Sequence, residues 1–116
     1  VARDRFGIKP LLYYTDEDRF LFASEMKSII QYGIAKEINP TSLRNYLHLN
    51  YIPAPDTIFK NIYKLLPGHY LKVKDGKVEQ ECFYEIPKNY EEHPTQLSYQ
   101  AQQEHLLDLM QKSVQK

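Results

Sequence analysis

Few side chains in this sequence have the type and the surroundings that catalysis needs. The one cysteine, Cys82, lies between Glu81 and Phe83 in a predicted strand. A catalytic thiolate needs a cationic neighbour or a helix N-terminus to lower its pKa, and the residues beside Cys82 supply neither. We therefore expect Cys82 to be a half-buried structural cysteine, and we expect no catalytic residue in this chain.

The histidines do not have the spacing of a metal site. They are His48, His69, His93 and His105. No two of them are four residues apart, and the chain contains neither HExxH nor CxxC. His93 follows two glutamates in a polar stretch, where a solvated charge cluster is the simpler interpretation. The sequence predicts no metal ligands.

The glycines stand alone at predicted turns and helix ends. They are Gly7, Gly33, Gly68 and Gly76. Neither GxGxxG nor GxxxxGK[ST] can be built from them. We therefore expect no phosphate-binding loop and no cofactor-binding residue within this chain.

The composition excludes several classes of partner. The chain has 116 residues, with 15 basic and 15 acidic side chains and a formal net charge of zero. That balance leaves no electrostatic footprint for nucleic acid or an anionic membrane. No apolar run approaches the roughly 20 residues of a membrane span, and no stretch has the pattern of a signal peptide. A single cysteine makes a reducing, cytoplasmic compartment the simplest expectation.

Tyrosine is unusually frequent, with ten residues. Tyrosines interleaved with lysines could stack on single-stranded nucleic acid. Packing on half-buried sheet faces explains them more simply, and the zero net charge favours that interpretation.

Alternating apolar patterns and turn residues predict two hairpins. The first joins residues 11–15 to residues 19–23 through a turn at 16–18. The second occupies residues 69–84, where Asp75-Gly76 is a strong signal for a two-residue turn. Residues 1–4 should end a further strand.

A short helix is expected after the first hairpin. Ser24 is its candidate N-cap, and Gly33 is its candidate stop. Met26, Ile29 and Ile30 have the spacing of a helix face turned to the core.

Two further helices are expected along the chain. One has Asn39 as cap and Pro40 at its first position. Its apolar stripe is Leu43, Tyr46 and Leu47. The other begins at residue 97, after a polar linker at 87–96.

Both ends of the sequence have the pattern of an interrupted element. The first two residues resemble the end of a strand, and no glycine or proline stops the helical pattern near residue 116. We expect the chain to be a piece of a longer polypeptide.

Two blocks resemble one known family. Residues 3–14 (RDRFGIKPLLYY), followed by FASEMK at 22–27, resemble the ARDxxGxKPLYY…FASExK signature of glutamine-hydrolysing asparagine synthetases. Residues 57–70 (TIFKNIYKLLPGHY) resemble that family's TIFxxIxKLxPGHxL segment. The blocks occur in the family's order, and the resemblance covers essentially the whole chain.

The resemblance implies an α+β fold that is part of an N-terminal-nucleophile hydrolase (αββα) sandwich with antiparallel strands. Residues 1–86 would be the C-terminal portion of a class-II glutamine amidotransferase domain with an interdomain hairpin. Residues 87–96 would be a linker, and 97–116 the first helix of the synthetase domain. The catalytic cysteine, the glutamine-binding residues and the SGGxDS loop for ATP and magnesium would lie outside this chain.

The resemblance also implies an activity. The parent enzyme would take glutamine, aspartate and ATP, and would make asparagine, AMP, pyrophosphate and glutamate. The oligomeric state of the parent enzyme stays open, and a homodimer is one alternative.

Five residues of the first block have expected roles. Arg3 and Asp4, paired at a strand end, would lock the following turn by charge-assisted bonds. Gly7 would permit a positive φ or a close approach of two backbones, and Pro10 would fix the entry to the next strand. The resemblance makes Ile8 a candidate wall of the ammonia channel, with plain core as the alternative.

Two other functions remain open at this stage. A related amidotransferase with a different amine acceptor would share these blocks. A non-catalytic binding or scaffold module is the other alternative. The insertion at residues 34–60 resembles longer members of the asparagine synthetase family.

Overall fold

The computed structural model describes residues 1–86 and 96–115, which form five strands and three helices. The strands are β1 (Leu12–Thr15), β2 (Phe20–Ala23), β3 (Ile62–Lys64), β4 (His69–Lys74) and β5 (Lys77–Cys82). The helices are α1 (Met26–Ile30), α2 (Pro40–Leu49) and α3 (Tyr99–Val114). Two compact units contain them, Val1–Glu85 and Ile86–Lys116. Antiparallel strands and a C-terminal helix are confirmed.

A three-stranded antiparallel sheet in the order β2-β1-β3 holds the core of the first unit. Alternate side chains of β1 point to opposite faces, so Leu12 and Tyr14 are buried together. Ile62 of β3 and Ile29 of α1 complete this cluster with Ile34. The predicted first hairpin is confirmed.

The turn between β1 and β2 is held by one carboxylate. Asp16 accepts from the backbone N–H of Asp18 (3.1 Å) and of Arg19 (2.7 Å). Its other oxygen accepts from the Tyr14 hydroxyl at 2.6 Å and from the Arg19 guanidinium at 2.7 Å. The hydrogen bonds from Tyr14 and then Arg19 hold the pKa of Asp16 well below its ordinary value.

The start of α1 differs from the prediction. The N-cap residue is Glu25 rather than Ser24, and no side chain caps the helix. Because α1 has only five residues, packing of its apolar face holds it more than capping does. Ile29 is buried and Met26 packs against the core. The helix ends at Ile30, three residues before Gly33.

Helix α2 begins where the sequence predicts. The Asn39 side chain accepts from the backbone N–H of Thr41 (3.0 Å) and Ser42 (3.3 Å), and Pro40 is the first helical residue. The helix ends at Leu49, and the C-cap residue Asn50 has a left-handed conformation. Its apolar stripe is exposed: Leu43, Tyr46 and Leu47 are 38, 50 and 72% accessible.

Strands β4 and β5 form the second hairpin, in the register His69↔Cys82 to Lys74↔Lys77. Asp75 and Gly76 both have positive φ, as a two-residue turn requires. The N-terminal residues pair with β4 through the bridge Ala2↔Tyr70.

The expectation of a half-buried cysteine is wrong. Cys82 is exposed, with Sγ 3.4 Å from the carbonyl oxygen of Tyr84. It ends β5 at the open end of a two-stranded ribbon, and no further strand of the described residues pairs with β5.

Helix α3 lies in the second unit. Ser98 caps it by accepting from the backbone N–H of Ala101 at 3.3 Å. Asp108 and Lys112, one helical turn apart, form an ion pair at 2.6 Å. The linker predicted at residues 87–96 lies, except for Gln96, outside the described residues. None of the helices in the described part of the chain has the length and apolarity that crossing a membrane requires.

Candidate functional site

The loop from Arg3 to Pro10 carries every residue that the resemblance singles out. Asp4 builds its first turn: one carboxylate oxygen accepts from the backbone N–H of Phe6 at 2.9 Å and of Gly7 at 2.7 Å. This arrangement is an Asx turn, in which a side chain takes the place of a backbone acceptor. The first turn of the loop is therefore held by contacts within the loop itself.

Arg3 and Asp4 do not pair with each other, which corrects the expectation. Arg3 instead gives its guanidinium to three backbone carbonyls. Nε donates to Lys9 O at 3.0 Å, Nη1 to Leu65 O at 2.5 Å and Nη2 to Gly7 O at 2.5 Å. Both residues lock the turn by charge-assisted bonds, but to backbone groups.

Gly7 has the positive φ that the sequence suggests, and the groups that approach it closely are side chains rather than a second backbone. Its φ is +61°, and a β-carbon would stand 2.6 Å from Pro67 Cγ and 3.0 Å from Arg3 Cζ. Any side chain at this position would push the loop away from the residues that hold it.

Gly68 is a second close approach, which the sequence reasoning did not single out. Its N–H donates to Asp4 O at 2.9 Å, and its own carbonyl accepts from Phe83 N at 2.8 Å. A β-carbon there would collide with the carbonyl oxygen of Tyr84. The Pro-Gly pair within the second block was the available signal.

The two blocks of resemblance therefore meet in space. The first block supplies Arg3 and Asp4, and the second supplies the carbonyl of Leu65 and the N–H of Gly68. Leu65 is fully buried, so the loop is tied to the core of the unit.

Two large apolar side chains project from this loop. Ile8 is 84% accessible and Phe6 is 70% accessible. Ile8 does not belong to the core of this unit. Phe6 was missed, because nothing local in the sequence distinguishes an exposed phenylalanine from a buried one. Pro10 lies two residues before β1 and is also exposed.

The chemistry that this surface offers is apolar contact. Across residues 1–86 and 96–115, no three His, Cys, Asp or Glu side chains converge as a metal site would require. The loop presents an apolar tip, and Arg3 and Asp4 turn their charged groups inward to the backbone. Arg5 lies over the Tyr84 ring at 5.1 Å, and Lys9 is exposed. It can form part of a wall or an interface.

Comparison with known proteins agrees with the two blocks. The profile of the glutamine amidotransferase domain matches residues 1–84. Asparagine synthetase [glutamine-hydrolyzing] 1 of Bacillus subtilis is 36% identical over 84 residues, covering 72% of this chain and 13% of its own length. A putative asparagine synthetase [glutamine-hydrolyzing] 2 of Methanocaldococcus jannaschii is 40% identical over 91 residues, or 74% of this chain and 18% of its own.

A third relative has a different name. Amidase chyE of Penicillium rubens is 34% identical over 104 residues, covering 89% of this chain and 14% of its own length. No solved structure matches the chain significantly. The chain thus spans less than a fifth of the length of these relatives. With residues 1–84 matched, the chain belongs to the glutamine amidotransferase domain family.

Proposed function

We propose that this chain is part of a glutamine-hydrolysing asparagine synthetase. The parent protein would release ammonia from glutamine and transfer it to aspartate with ATP, giving asparagine, AMP, pyrophosphate and glutamate. The observation that supports this best is the set of hydrogen bonds from the Arg3 guanidinium to the carbonyls of Gly7, Lys9 and Leu65, which we call the Arg3 clamp. This clamp joins the two blocks that resemble the family. The strands of the first unit would belong to an αββα sandwich of the N-terminal-nucleophile hydrolases.

ATP and magnesium do not fit the residues present here. The glycines are isolated, and the described residues contain no cluster of metal ligands. We therefore assign no nucleotide or metal step to this chain. In the proposal, those groups bind to residues elsewhere in the parent protein.

The role that we propose for the loop is to line the path of ammonia. Ile8 would present an apolar surface to neutral ammonia. Because transfer of a charged ammonium ion from water to an apolar surface is costly, such a wall passes the neutral form and excludes the ion. The exposure of Ile8 supports this role, since the side chain is free to face another part of the parent protein.

The test is to place a charge on that surface. In the parent protein, Ile8→Lys should leave glutamine hydrolysis unchanged and lower the asparagine formed per glutamate released. Synthesis supported by added ammonium should persist, because it does not depend on ammonia made at the glutaminase site. Both products are measured in the same reaction by amino-acid analysis.

A matched control is Ile38→Lys, at an isoleucine of the same unit that is 51% exposed. It should leave the ratio of asparagine to glutamate unchanged. An unchanged ratio of asparagine to glutamate in Ile8→Lys would show that Ile8 does not line the ammonia path.

A related amidotransferase with another acceptor is the second candidate. The match to amidase chyE supports it, because that match covers 89% of this chain against 72% for the Bacillus synthetase. The same assay separates the two functions. Glutamine hydrolysis stimulated by a carboxylic acid other than aspartate, with that acid's amide as product, would support the second candidate.

A further inference from the structure

We infer that Arg3 is a positioning residue for Ile8, and that delivery of ammonia depends on Arg3 while glutamine hydrolysis does not. The inference rests on the proposed function of the loop. In this inference Arg3 does more than hold a turn, because its guanidinium sets the direction of the Ile8 side chain.

The geometry begins with the residues on either side of Ile8. Arg3 donates to the carbonyl of Gly7 at 2.5 Å and to the carbonyl of Lys9 at 3.0 Å. The Gly7 carbonyl belongs to the peptide group before Ile8, and the Lys9 carbonyl belongs to the peptide group between Lys9 and Pro10. One planar cation therefore holds both ends of the Ile8-Lys9 segment. This restricts the backbone dihedrals of the two residues together, and hence the direction of the Ile8 side chain.

The third bond of the same guanidinium sets the position of the loop on the unit. Arg3 Nη1 donates to the carbonyl of Leu65 at 2.5 Å, and Leu65 is fully buried. The backbone N–H of Arg3 donates to His69 O at 2.9 Å. Arg3 is thus tied to the core at one end and holds the loop at the other.

The exposure of Ile8 shows why a clamp is needed. An apolar side chain gains roughly 25 cal/mol for each Å² of surface that it removes from water. A loose loop would let Ile8 and Phe6 fold back onto the unit. Both instead remain more than two thirds exposed, so the backbone is held against that tendency.

Lysine should not replace arginine in this role. The guanidinium presents several N–H donors in a rigid plane, whereas a lysine ammonium is a point charge on a flexible stem. A lysine at position 3 could keep the positive charge and one carbonyl, but not the fixed relation among Gly7, Lys9 and Leu65.

The test uses Arg3→Lys in the parent protein, with Arg19→Lys as the matched control. Arg19 also holds a turn of the same unit through its guanidinium, but that turn is distant in sequence from Ile8. Glutamate release, amide product, ammonium-supported synthesis and thermal unfolding are measured for each variant.

For Arg3→Lys we expect kcat and KM for glutamine to stay near those of the unaltered protein. The amide formed per glutamate should fall at least about threefold, as small misplacements of a positioned group commonly cause losses of that order or more. Synthesis from added ammonium should be unchanged. Arg19→Lys should lower the unfolding temperature and leave the ratio of amide to glutamate normal.

Two results would overturn the inference, and they differ in whether the proposed function fails with it. If Ile8→Lys lowers the ratio and Arg3→Lys does not, Arg3 is only structural and the proposed function stands. If neither variant changes the ratio, the role of Ile8 in the proposed function fails as well.

A measurement on the unaltered protein covers the case in which Arg3→Lys does not fold. The Arg3 Nε–H, bound to Lys9 O, should exchange with solvent more slowly than the Nε–H of Arg44, a residue on the exposed surface of α2. Nitrogen-15 NMR of the arginine side chains gives both rates. Equal rates would show that the clamp does not persist in solution and would overturn the inference.

Discussion

Two turns of the first unit use the same pair of residue types in different ways. In the turn between β1 and β2, Arg19 and Asp16 bond to each other at 2.7 Å. In the loop from Arg3 to Pro10, Arg3 and Asp4 each bond to backbone groups. The first turn pairs its two charges with each other, although Arg19 also donates to Tyr32 O at 3.3 Å. The second turn uses its charges to join parts of the chain that are much farther apart.

The difference lies in sequence separation. Asp16 contacts residues within three positions along the chain, whereas Arg3 reaches Leu65, 62 positions away. A turn closed by near neighbours costs little chain entropy to form, and a contact of long separation forms only when the rest of the fold brings its partners together. The loop is therefore a product of the whole unit, and its function can depend on the whole unit.

The largest expected effect is at Gly68, in the connection between β3 and β4, which bonds to Asp4 of the loop and approaches the chain after β5. Gly68→Ala would place a β-carbon against the Tyr84 carbonyl oxygen, at a φ of +68°. Adding the cost of the left-handed conformation to that of a backbone clash, we expect about 3–4 kcal/mol of lost stability. Denaturant unfolding of the protein measures it.

Gly33→Ala is the matched control, because its φ is also +68° and no atom lies within 4 Å of its β-carbon. It should cost about 1 kcal/mol, the conformational part alone. Equal losses in the two variants would show that the contact between Gly68 and Tyr84 does not constrain the loop.

Local signals predicted the parts of the fold that local contacts close. The Asp16 turn, the Asp75-Gly76 turn and the Asn39 cap are all as the sequence indicates. Each depends on residues no more than a few positions apart, so the conformational preference of the residue types and their local hydrogen bonds favour the same structure.

The parts that the sequence could not predict depend on what packs against them. Cys82 and the stripe that includes Leu47 have apolar neighbours in sequence, yet they are exposed because no described element covers them. The role of Gly7 came from the conformational freedom of glycine, and the role of Ile8 came from the resemblance. Neither the residue pattern nor the resemblance predicts that Arg3 bonds to Leu65, because every residue has a backbone carbonyl and the one at Leu65 has no signal in the sequence.

The next largest effect concerns acid, and it belongs to the local turn. Hydrogen bonds from Tyr14 and Arg19 lower the pKa of Asp16 below its ordinary value of 3.8. A depressed folded-state pKa stabilises the fold fully above 3.8 and loses that contribution as the pH falls below it. Asp16→Asn should therefore lower the unfolding temperature at neutral pH and have little effect in stronger acid.

Thermal unfolding of Asp16→Asn and the unaltered protein, followed from neutral pH to below 3.8, measures the difference. The two curves should converge as the pH falls. A difference that stays constant across that range would assign the stabilisation to packing of the turn rather than to the charge of Asp16.

The smallest expected effect separates the two aspartates. Asp4 uses one oxygen, Oδ1, for both of its backbone bonds, and asparagine keeps such an oxygen. Asp16 uses both oxygens, and an amide nitrogen at Oδ2 would face the Arg19 guanidinium. Asp4→Asn should therefore change stability by no more than about 0.5 kcal/mol, as surface substitutions that keep their contacts do. Thermal unfolding at neutral pH compares the two variants. If Asp4→Asn lowers the unfolding temperature as much as Asp16→Asn does, the charge of Asp4 holds the loop together, and the contrast between the turns disappears.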